Sequence, residues 1–217
     1  MLTDGKVPMP TLERIATYFT VLSVLKSRNV ETISSTDMEE RTGVNAAQFR
    51  KDLSYFGEFG RPGVGYNVRE LHARLSRILK LEGKQNVLLV GAGNLGSALA
   101  GYAPLRADNF EIVAVFDNDP NKIGQPLWDL VIKDIDDVVE ENYRLQARMA
   151  IIAVPAHAAQ DVAEMLVEAN VLAILNFAPV VLRLPEHVFV RNVDFFQELA
   201  VLSFHLPDSV RQVEVGS

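Results

Sequence analysis

No cysteine occurs in the sequence, so it can form neither disulfides nor a thiolate metal site. It also lacks an apolar run long enough to cross a bilayer, and its N-terminus lacks the basic-then-apolar pattern of a secretory signal. These absences predict a soluble, cytoplasmic protein that binds neither metal nor membrane. The 217 residues, of which 48% are hydrophobic, suffice for one large domain or two small ones with real cores.

Positive charge is also scarce, with a net charge of -7, but the deficit is uneven. Residues 1–80 hold 12 Lys and Arg against 9 Asp and Glu, and the remainder hold 9 against 19. Such asymmetry indicates two parts with different tasks. The N-terminal part suits a polyanionic partner, whereas the acidic remainder suits one only at a local site.

Residues 34–56 follow the helix-turn-helix pattern. A first helix is predicted to begin near Thr11, with Thr11 as its N-cap, and the caps in segment 34–37 predict a short helix over about 36–41. A glycine-containing turn over 42–45 follows the short helix. The second helix of the helix-turn-helix pair is predicted over about 46–56. In that second helix, Phe49, Leu53 and Phe56 recur at i, i+4 and i+7 and are expected to face the core.

Another face of the second helix carries side chains that can bond base edges and phosphates. With the preceding turn, and with a wing predicted for the glycine-rich segment 57–66, it gives these DNA-binding candidates: Asn45, Gln48, Arg50, Lys51, Ser54, Tyr55, Arg61, Gly63 and Tyr66. The alternatives are a solvated helix face for Arg50 and Lys51 and an ordinary linker for the wing. A further helix over 68–81 follows, and residues 1–80 are interpreted as a winged helix-turn-helix domain.

Residues 86–117 hold the signature of a dinucleotide-binding turn. A short apolar strand leads into a G-x-G-x-x-G turn that opens a helix of small residues, and a second apolar strand ends on Asp117. The three glycines permit the tight bend, the approach of backbone to a pyrophosphate and the close packing of the helix. Asp117 can accept bonds from both ribose hydroxyls and repels a 2′-phosphate, which favours NAD over NADP.

Nearby Lys122 leaves NADP open, and a tight turn without any ligand is the alternative for the whole segment. As a nucleotide site, the segment contributes these candidates: Gly91, Ala92, Gly93, Asn94, Leu95, Gly96, Asp117, Asn118 and Lys122.

The remainder alternates apolar runs with helical segments, which predicts a doubly wound parallel sheet, and residues 81–193 are interpreted as a Rossmann domain. Strands are expected near 130–132 and over 149–154, 171–177 and 188–191, and helices near 135–142 and over 156–169. Because ligands bind beyond the carboxyl ends of such strands, these residues are expected to line the nicotinamide half of the site: Val154, Pro155, Phe177, Ala178 and Pro179. Simple loop packing is the alternative.

Residues 194–217 form the tail of the chain, and an amphipathic helix is predicted over 194–206 with Asp194 as its N-cap. Phe195, Leu199 and Leu202 share one apolar stripe. A terminal helix this apolar needs a partner surface, either on its own subunit or, as we prefer, in a dimer.

Taken together, the sequence resembles the Rex family of redox-sensing transcriptional repressors over nearly its full length. The motifs that carry the resemblance are Phe49-Arg50-Lys51-Asp52-Leu53-Ser54-Tyr55-Phe56-Gly57, Gly63-Val64-Gly65-Tyr66, the glycine turn, Asn176-Phe177-Ala178-Pro179 and Asn192-Val193-Asp194-Phe195. The resemblance implies a homodimer that binds palindromic operator DNA when NADH is low relative to NAD and releases it when NADH binds. It also implies a last helix swapped into the partner subunit.

By the same resemblance, Arg50, Lys51, Ser54 and Tyr55 belong to the recognition helix and Arg61 to the wing. Phe195 would reach the partner's nicotinamide site, and Tyr102 and Asp194 would tie the swapped helix to the Rossmann domain. One departure is Thr20, which stands where the resemblance leads us to expect an arginine in that contact.

Two other functions stay open from the residues alone. One is an NAD-dependent oxidoreductase with an appended helix-turn-helix domain, although no general-base constellation is evident in the sequence. The other is a ligand-gated module that binds protein rather than DNA, against which the positive charge of the N-terminal part argues.

Overall fold

The computed structural model describes residues 7–60, 64–103, 105 and 109–207, and the chain divides into two compact units, Met1–Gly83 and Lys84–Ser217. The described elements of the first unit are α1 (Met9–Ser27), β1 (Thr32–Ile33), α2 (Ser35–Thr42), α3 (Ala46–Ser54), β2 (Tyr66–Asn67) and α4 (Val68–Ile78). The two short strands pair antiparallel, with Ile33 opposite Tyr66.

Local capping signals place the two helices of the helix-turn-helix. Ser34 and Asp37 form a reciprocal capping box at the start of α2. Gly43, at φ 70°, ends that helix in the left-handed conformation that glycine adopts without strain. The side chain of Asn45 accepts a hydrogen bond from the Gln48 amide and so opens α3. The predicted helix-turn-helix is confirmed, although α3 ends at Ser54 rather than at Phe56.

The predicted N-cap of α1 is wrong. The helix begins at Met9, with Pro8 at the cap position and a proline in its first turn. A proline is tolerated there because the first amides of a helix have no partner within the helix. Thr11 is therefore already inside the helix, where it is buried at 3% exposure.

A buried carboxylate on α3 joins this helix to α1. Asp52 is fully buried, and the guanidinium of Arg14 donates to both of its oxygens, at 2.6 and 2.7 Å. The Tyr18 hydroxyl and the Gln48 amide donate at 2.8 Å each. Burial raises the pKa of Asp52, but these donors outweigh it and hold the pKa below its usual range. The carboxylate therefore stays charged and fixes α3 against α1.

The second unit contains a seven-stranded sheet in the order β5-β6-β4-β3-β7-β8-β9. Its strands are β3 (Gln85–Val90), β4 (Phe110–Asp117), β5 (Pro126–Leu127), β6 (Leu130–Asp134), β7 (Met149–Ile152), β8 (Ala173–Asn176) and β9 (Phe189–Asn192). Its described helices are α5 (Asn94–Ala100), α6 (Val138–Leu145), α7 (Ala159–Glu168) and α8 (Phe195–Phe204), with 3-10 turns at Ile135–Asp137 and Ala156–Ala158.

The predicted parallel sheet is confirmed, with one addition. Every neighbouring pair is parallel except β5 and β6, which form a short antiparallel hairpin at one edge and make the sheet mixed. From β3 the chain proceeds outward first to β4 and β6 and then, on the other side, to β7, β8 and β9. This reversal opens a crevice at the carboxyl ends of the central strands, where ligands of such sheets bind.

Alternation along the strands gives the sheet two apolar faces. Leu88 and Val90 belong to one buried cluster with Phe116, whereas Val87 and Leu89 belong to another with Val115. Strand β7 ends at Ile152, two residues earlier than predicted, and β8 begins at Ala173 instead of Val171.

The terminal helix α8 begins at the predicted cap, since the Asp194 carboxylate accepts from the amides of Phe196 and Gln197. No residue of α8 is buried, and its apolar side chains are largely exposed, with Leu199 at 63% and Leu202 at 62%. Within the described part of the chain, no helix is both long enough and apolar enough to span a membrane.

We expect Asp52→Asn to lower the free energy of unfolding by roughly 3 kcal/mol at neutral pH, because it leaves the Arg14 guanidinium without its charged partner. The folded-state pKa of Asp52 is depressed, so its contribution is present above about pH 4 and is lost as the pH falls through the folded pKa. Urea unfolding of the full chain across this range measures both effects.

The control for this experiment is Glu82→Gln, which removes an exposed partner of Arg77. A change within about 1 kcal/mol is expected there. Equal losses from the two substitutions would contradict the role given to the buried carboxylate.

Candidate functional site

A cavity of about 490 Å³ lies at the carboxyl ends of the strands of the second unit. Its wall comes from segments that follow β3, β4, β6 and β7, together with α7 and the 3-10 turn before it. The lining residues are Val90, Gly91, Gly93, Asp117, Asn118, Asp119, Lys122, Ile135, Ala153, Val154, Pro155, His157, Ala158 and Val162. Its size is within the range of small-molecule sites, about 300–1,000 Å³.

Seven of the sequence-predicted nucleotide-site residues meet in this cavity: Gly91, Gly93, Asp117, Asn118, Lys122, Val154 and Pro155. Ala92, Asn94, Leu95 and Gly96 belong to the same turn and to the start of α5, but they do not line the cavity. Sequence reasoning missed the other lining residues, which are Val90, Asp119, Ile135, Ala153, His157, Ala158 and Val162. Following every strand to its carboxyl end, β6 included, would have found Ile135.

The three glycines of the turn differ in what a side chain would meet at each position. Gly91 has φ 103°, and a Cβ there would lie 2.4 Å from the carbonyl oxygen of Ala153. A Cβ on Gly96 would lie 1.8 Å from the carbonyl oxygen of Gly91, so α5 can pack this close only without a side chain. A Cβ on Gly93 would meet nothing within 4 Å. The protein's own packing therefore does not require Gly93, and its bare backbone leaves room at the cavity wall.

Asp117 connects the end of β4 to the glycine turn. It is buried at 7% exposure, and its carboxylate accepts from the Ala92 amide at 2.7 Å, the Asp119 amide at 2.9 Å and the Lys122 ammonium at 3.0 Å. Burial raises the pKa of Asp117, but these three donors hold it below its usual value. A carboxylate offers about four acceptor positions, so one position remains for a further donor.

The residues predicted for the nicotinamide half do not form one group, since only some of them line the cavity. Phe177, Ala178 and Pro179 follow β8, one strand farther out than β7, and do not line the cavity, whereas Val154 and Pro155 do. The Phe195 ring is 59% exposed, and its centroid lies 6.0 Å from that of Phe177 in the same chain. Within the described residues, Tyr102 and Asp194 share no hydrogen bond, and Tyr102 is 55% exposed.

In the first unit, α3 and its C-cap residue Tyr55 present an exposed polar surface formed by Arg50, Lys51, Ser54 and Tyr55. The Arg50 guanidinium donates to the Ser35 hydroxyl at 2.7 Å, which links the recognition-helix candidate to α2. Gln48 is turned toward Asp52, and Asn45 acts as the cap of α3.

The predicted wing is only partly described. Tyr66 packs its ring edge-on against Phe49, with 5.2 Å between the centroids. Arg61 and Gly63 lie outside the described residues. Across the ranges that the structure describes, no group of three or more His, Cys, Asp or Glu is arranged to hold a metal.

Comparison with known proteins covers both units. A family model described as a CoA binding domain matches residues 82–180, and one described as the N-terminus of a putative DNA-binding protein matches residues 6–54. The redox-sensing transcriptional repressor Rex of Desulforamulus reducens is 46% identical over 201 residues, which cover 93% of this chain and 96% of that relative. The Rex of Carboxydothermus hydrogenoformans is 48% identical over 204 residues, with coverages of 93% and 97%.

Solved structures agree over most of the chain. The crystal structure of RSP, a Rex-family repressor, in complex with β-NAD+ and operator DNA gives a TM-score of 0.88 at 36% identity and covers 94% of both chains. The crystal structure of RSP with β-NADH gives a TM-score of 0.85 at 34% identity, with coverages of 96% and 98%.

The fold and the glycine-turn cavity together define a protein that joins a helix-turn-helix unit to a Rossmann unit of the dinucleotide-binding type. Relatives of this similarity extend over both units. The chain belongs to the Rex family of redox-sensing transcriptional repressors.

Gly96→Ala and Gly93→Ala should differ in stability, because packing excludes a side chain at Gly96 and leaves room for one at Gly93. Because a Cβ at Gly96 collides with backbone that cannot move away, we expect a loss of more than about 4 kcal/mol of stability, or no folded protein. Gly93→Ala meets open space and should cost no more than about 1 kcal/mol as a poorer N-cap. Urea unfolding of both variants is the measurement, and a Gly96→Ala protein as stable as the wild type would contradict the packing argument.

Proposed function

We propose that this chain is a homodimeric repressor that binds a palindromic operator when NADH is low relative to NAD and is released from it by NADH. The observation that carries the proposal is a glycine-turn cavity at the strand reversal of one unit, in a chain whose other unit exposes a basic recognition helix. The complexes of RSP with operator DNA and with both nucleotides support it. We also propose the domain limits 1–80, 81–193 and 194–217, and a cytoplasmic location.

The cavity fits the dinucleotide in two respects. The open space at Gly93 would let the turn's backbone approach a pyrophosphate, and the remaining acceptor position of Asp117 suits a ribose hydroxyl. A negative charge on Asp117 disfavours a 2′-phosphate, although Lys122 offsets part of that charge. We therefore propose NAD and NADH, rather than NADP, as the ligands of this site.

Apolar surroundings can discriminate NADH from NAD. The candidates for the nicotinamide end are Val154, Pro155, Phe177, Ala178, Pro179 and Phe195, none of which carries a charge. NAD brings a positive ring to such surroundings and NADH a neutral one, and burying an unpaired charge is costly. A difference of about 3 kcal/mol would be a preference of more than a hundredfold for NADH.

The exposed apolar surface of α8 supports a dimer, since an unpaired helix of this composition would expose several large side chains to water. In the proposed dimer, Leu199 and Leu202 bury their side chains against the partner, and Tyr102 and Asp194 contribute to the same contact. Paired recognition helices must lie about 34–36 Å apart to enter successive major grooves. NADH would act by favouring a subunit arrangement that breaks this spacing, and linkage then requires DNA to weaken NADH binding equally.

The first test is binding of the full-length protein to genomic DNA fragments, with NADH or NAD added at fixed salt, because phosphate contacts make affinity steeply salt-dependent. We expect specific fragments to bind and NADH, but not NAD, to release them. No specific binding in any nucleotide state would overturn the repressor proposal. DNA binding that neither nucleotide changes would overturn the sensing part.

The same preparation addresses the oxidoreductase alternative. We propose that the chain is not an enzyme, and its relatives are transcriptional repressors. In the part of the chain that the structure describes, no carboxylate hydrogen-bonds to His157, the one histidine of the cavity wall. Incubation with NADH and common 2-oxo acids or aldehydes should leave NADH unoxidised, and steady turnover would favour the enzyme instead.

Lys51→Gln should weaken DNA binding about equally for all sequences and reduce the slope of log affinity against log salt by about 1, as expected for one lost phosphate contact. Lys84→Gln is the matched control, because Lys84 is an exposed lysine of the other unit, where it pairs with Glu111. Fluorescence anisotropy at several salt concentrations measures both slopes. Equal slopes for Lys51→Gln and the wild type would remove Lys51 from the interface.

A further inference from the structure

Asn176, the last residue of β8, organises the loop that follows it. The residue is fully buried, and its amide oxygen accepts from the Ala178 amide at 3.0 Å. Its amide nitrogen donates to the carbonyl oxygens of Ala178, at 3.1 Å, and Val180, at 3.0 Å. The Asn176 side chain therefore holds the turn 177–180 by hydrogen bonds to its main chain. Neither a carboxylate nor an apolar side chain could make the same bonds.

The same side chain reaches the neighbouring strand β9. The amide nitrogen of Asn176 also lies 2.9 Å from the Oδ1 of Asn192, so its two N–H groups are shared among three acceptors. The main-chain N–H of Val193 donates to the main-chain carbonyl of Asn176 at 2.8 Å. Asn192 and Val193 directly precede Asp194, the cap of α8. The contact of Phe177 with Phe195 lies on the same path.

On its other side, Asn176 is in register with the strand that forms the cavity wall. Asn176 stands opposite Ile152 in the sheet, and the Phe177 amide donates to the Ile152 carbonyl at 2.9 Å. Ile152 is followed directly by Ala153 and Val154, which line the cavity. The asparagine thus lies between the cavity strand and the strand that leads into the terminal helix.

We propose that Asn176 is a positioning residue that sets the loop 177–180 for the nicotinamide end of the dinucleotide and connects that loop to α8. The inference rests on the proposed function, in which the adenosine end occupies the cavity near Asp117 and the nicotinamide end faces this loop. It assigns to one buried amide both the placement of the loop that meets the nicotinamide and the transmission of NADH binding to the terminal helix.

The test compares NADH with ADP-ribose, which carries the adenosine and both phosphates but no nicotinamide. Asn176→Asp keeps the size of the side chain and removes the donors to Ala178, Val180 and Asn192. We expect this variant to bind ADP-ribose as the wild type does and to bind NADH about tenfold more weakly, as for the loss of one or two buried hydrogen bonds that order the loop. Titration calorimetry on the full-length protein measures both affinities.

The chain offers a matched control in Asn142 on α6. This asparagine is also buried, at 2% exposure, and it likewise donates to two backbone carbonyls, of Ala147 and Ala169, and accepts from a backbone amide. It does not line the cavity. Asn142→Asp should therefore lower stability to a similar degree and leave the ratio of NADH to ADP-ribose affinity unchanged.

A second readout follows the connection to α8. The factor by which saturating NADH weakens DNA binding should fall in Asn176→Asp even when enough NADH is added to fill the weakened site. Should Asn176→Asp fail to fold, Asn192→Ala removes the exposed partner of the same amide and should shift the affinity ratio in the same direction by a smaller factor.

The outcomes separate the two levels of inference. If the wild type binds neither ADP-ribose nor NADH, the nucleotide site itself is wrong and the positioning role falls with it. If the wild type binds both and Asn176→Asp weakens them equally, or Asn142→Asp changes the ratio as much, then the nucleotide site stands and Asn176 is only a structural residue. A changed ratio confined to Asn176→Asp and Asn192→Ala supports the proposal.

Discussion

The second unit depends on the close approach of α5 to the end of β3. A side chain at Gly96 would place its first carbon 1.8 Å from the Gly91 carbonyl oxygen, so the helix can occupy its position only because that carbon is absent. This approach turns the backbone of the glycine turn toward the crevice between the central strands. Gly91 and Gly93 of this turn line the cavity, and the Ala92 amide between them donates to the Asp117 carboxylate.

Fully satisfied buried polar groups connect the elements of both units. Asp52 joins α3 to α1, Asp117 joins β4 to the glycine turn, Asn142 joins α6 to the segments after α6 and α7, and Asn176 joins β8 and the loop after it to β9. Among the described residues, no buried side-chain nitrogen or oxygen is left without a hydrogen-bond partner. Because an unpaired polar group in the interior costs free energy, each of these groups specifies one arrangement of its neighbours.

Much of the fold could be predicted because its signals are local. The reciprocal cap at Ser34 and Asp37, the left-handed Gly43 and the cap at Asp194 all act within a few residues of the helix that they start or end. The strands could be predicted from short apolar runs in the sequence. The parallel sheet could be predicted because helical segments lie between those runs. Strand β5, and with it the hairpin to β6, was missed because β5 has only two residues, and its Pro126 is a residue that rarely signals a strand.

What the sequence alone determined was the family, the order of most elements and seven of the fourteen residues that line the cavity. Only the tertiary structure decided which polar residues are buried and what each one holds. In the sequence, Asp52 is one more charged residue on a polar helix, and its partner Arg14 is 38 positions away. Asn176 and Asn192 are 16 positions apart on separate strands. Capping and periodicity arise between near neighbours in the chain, whereas these partners meet only after the elements have packed.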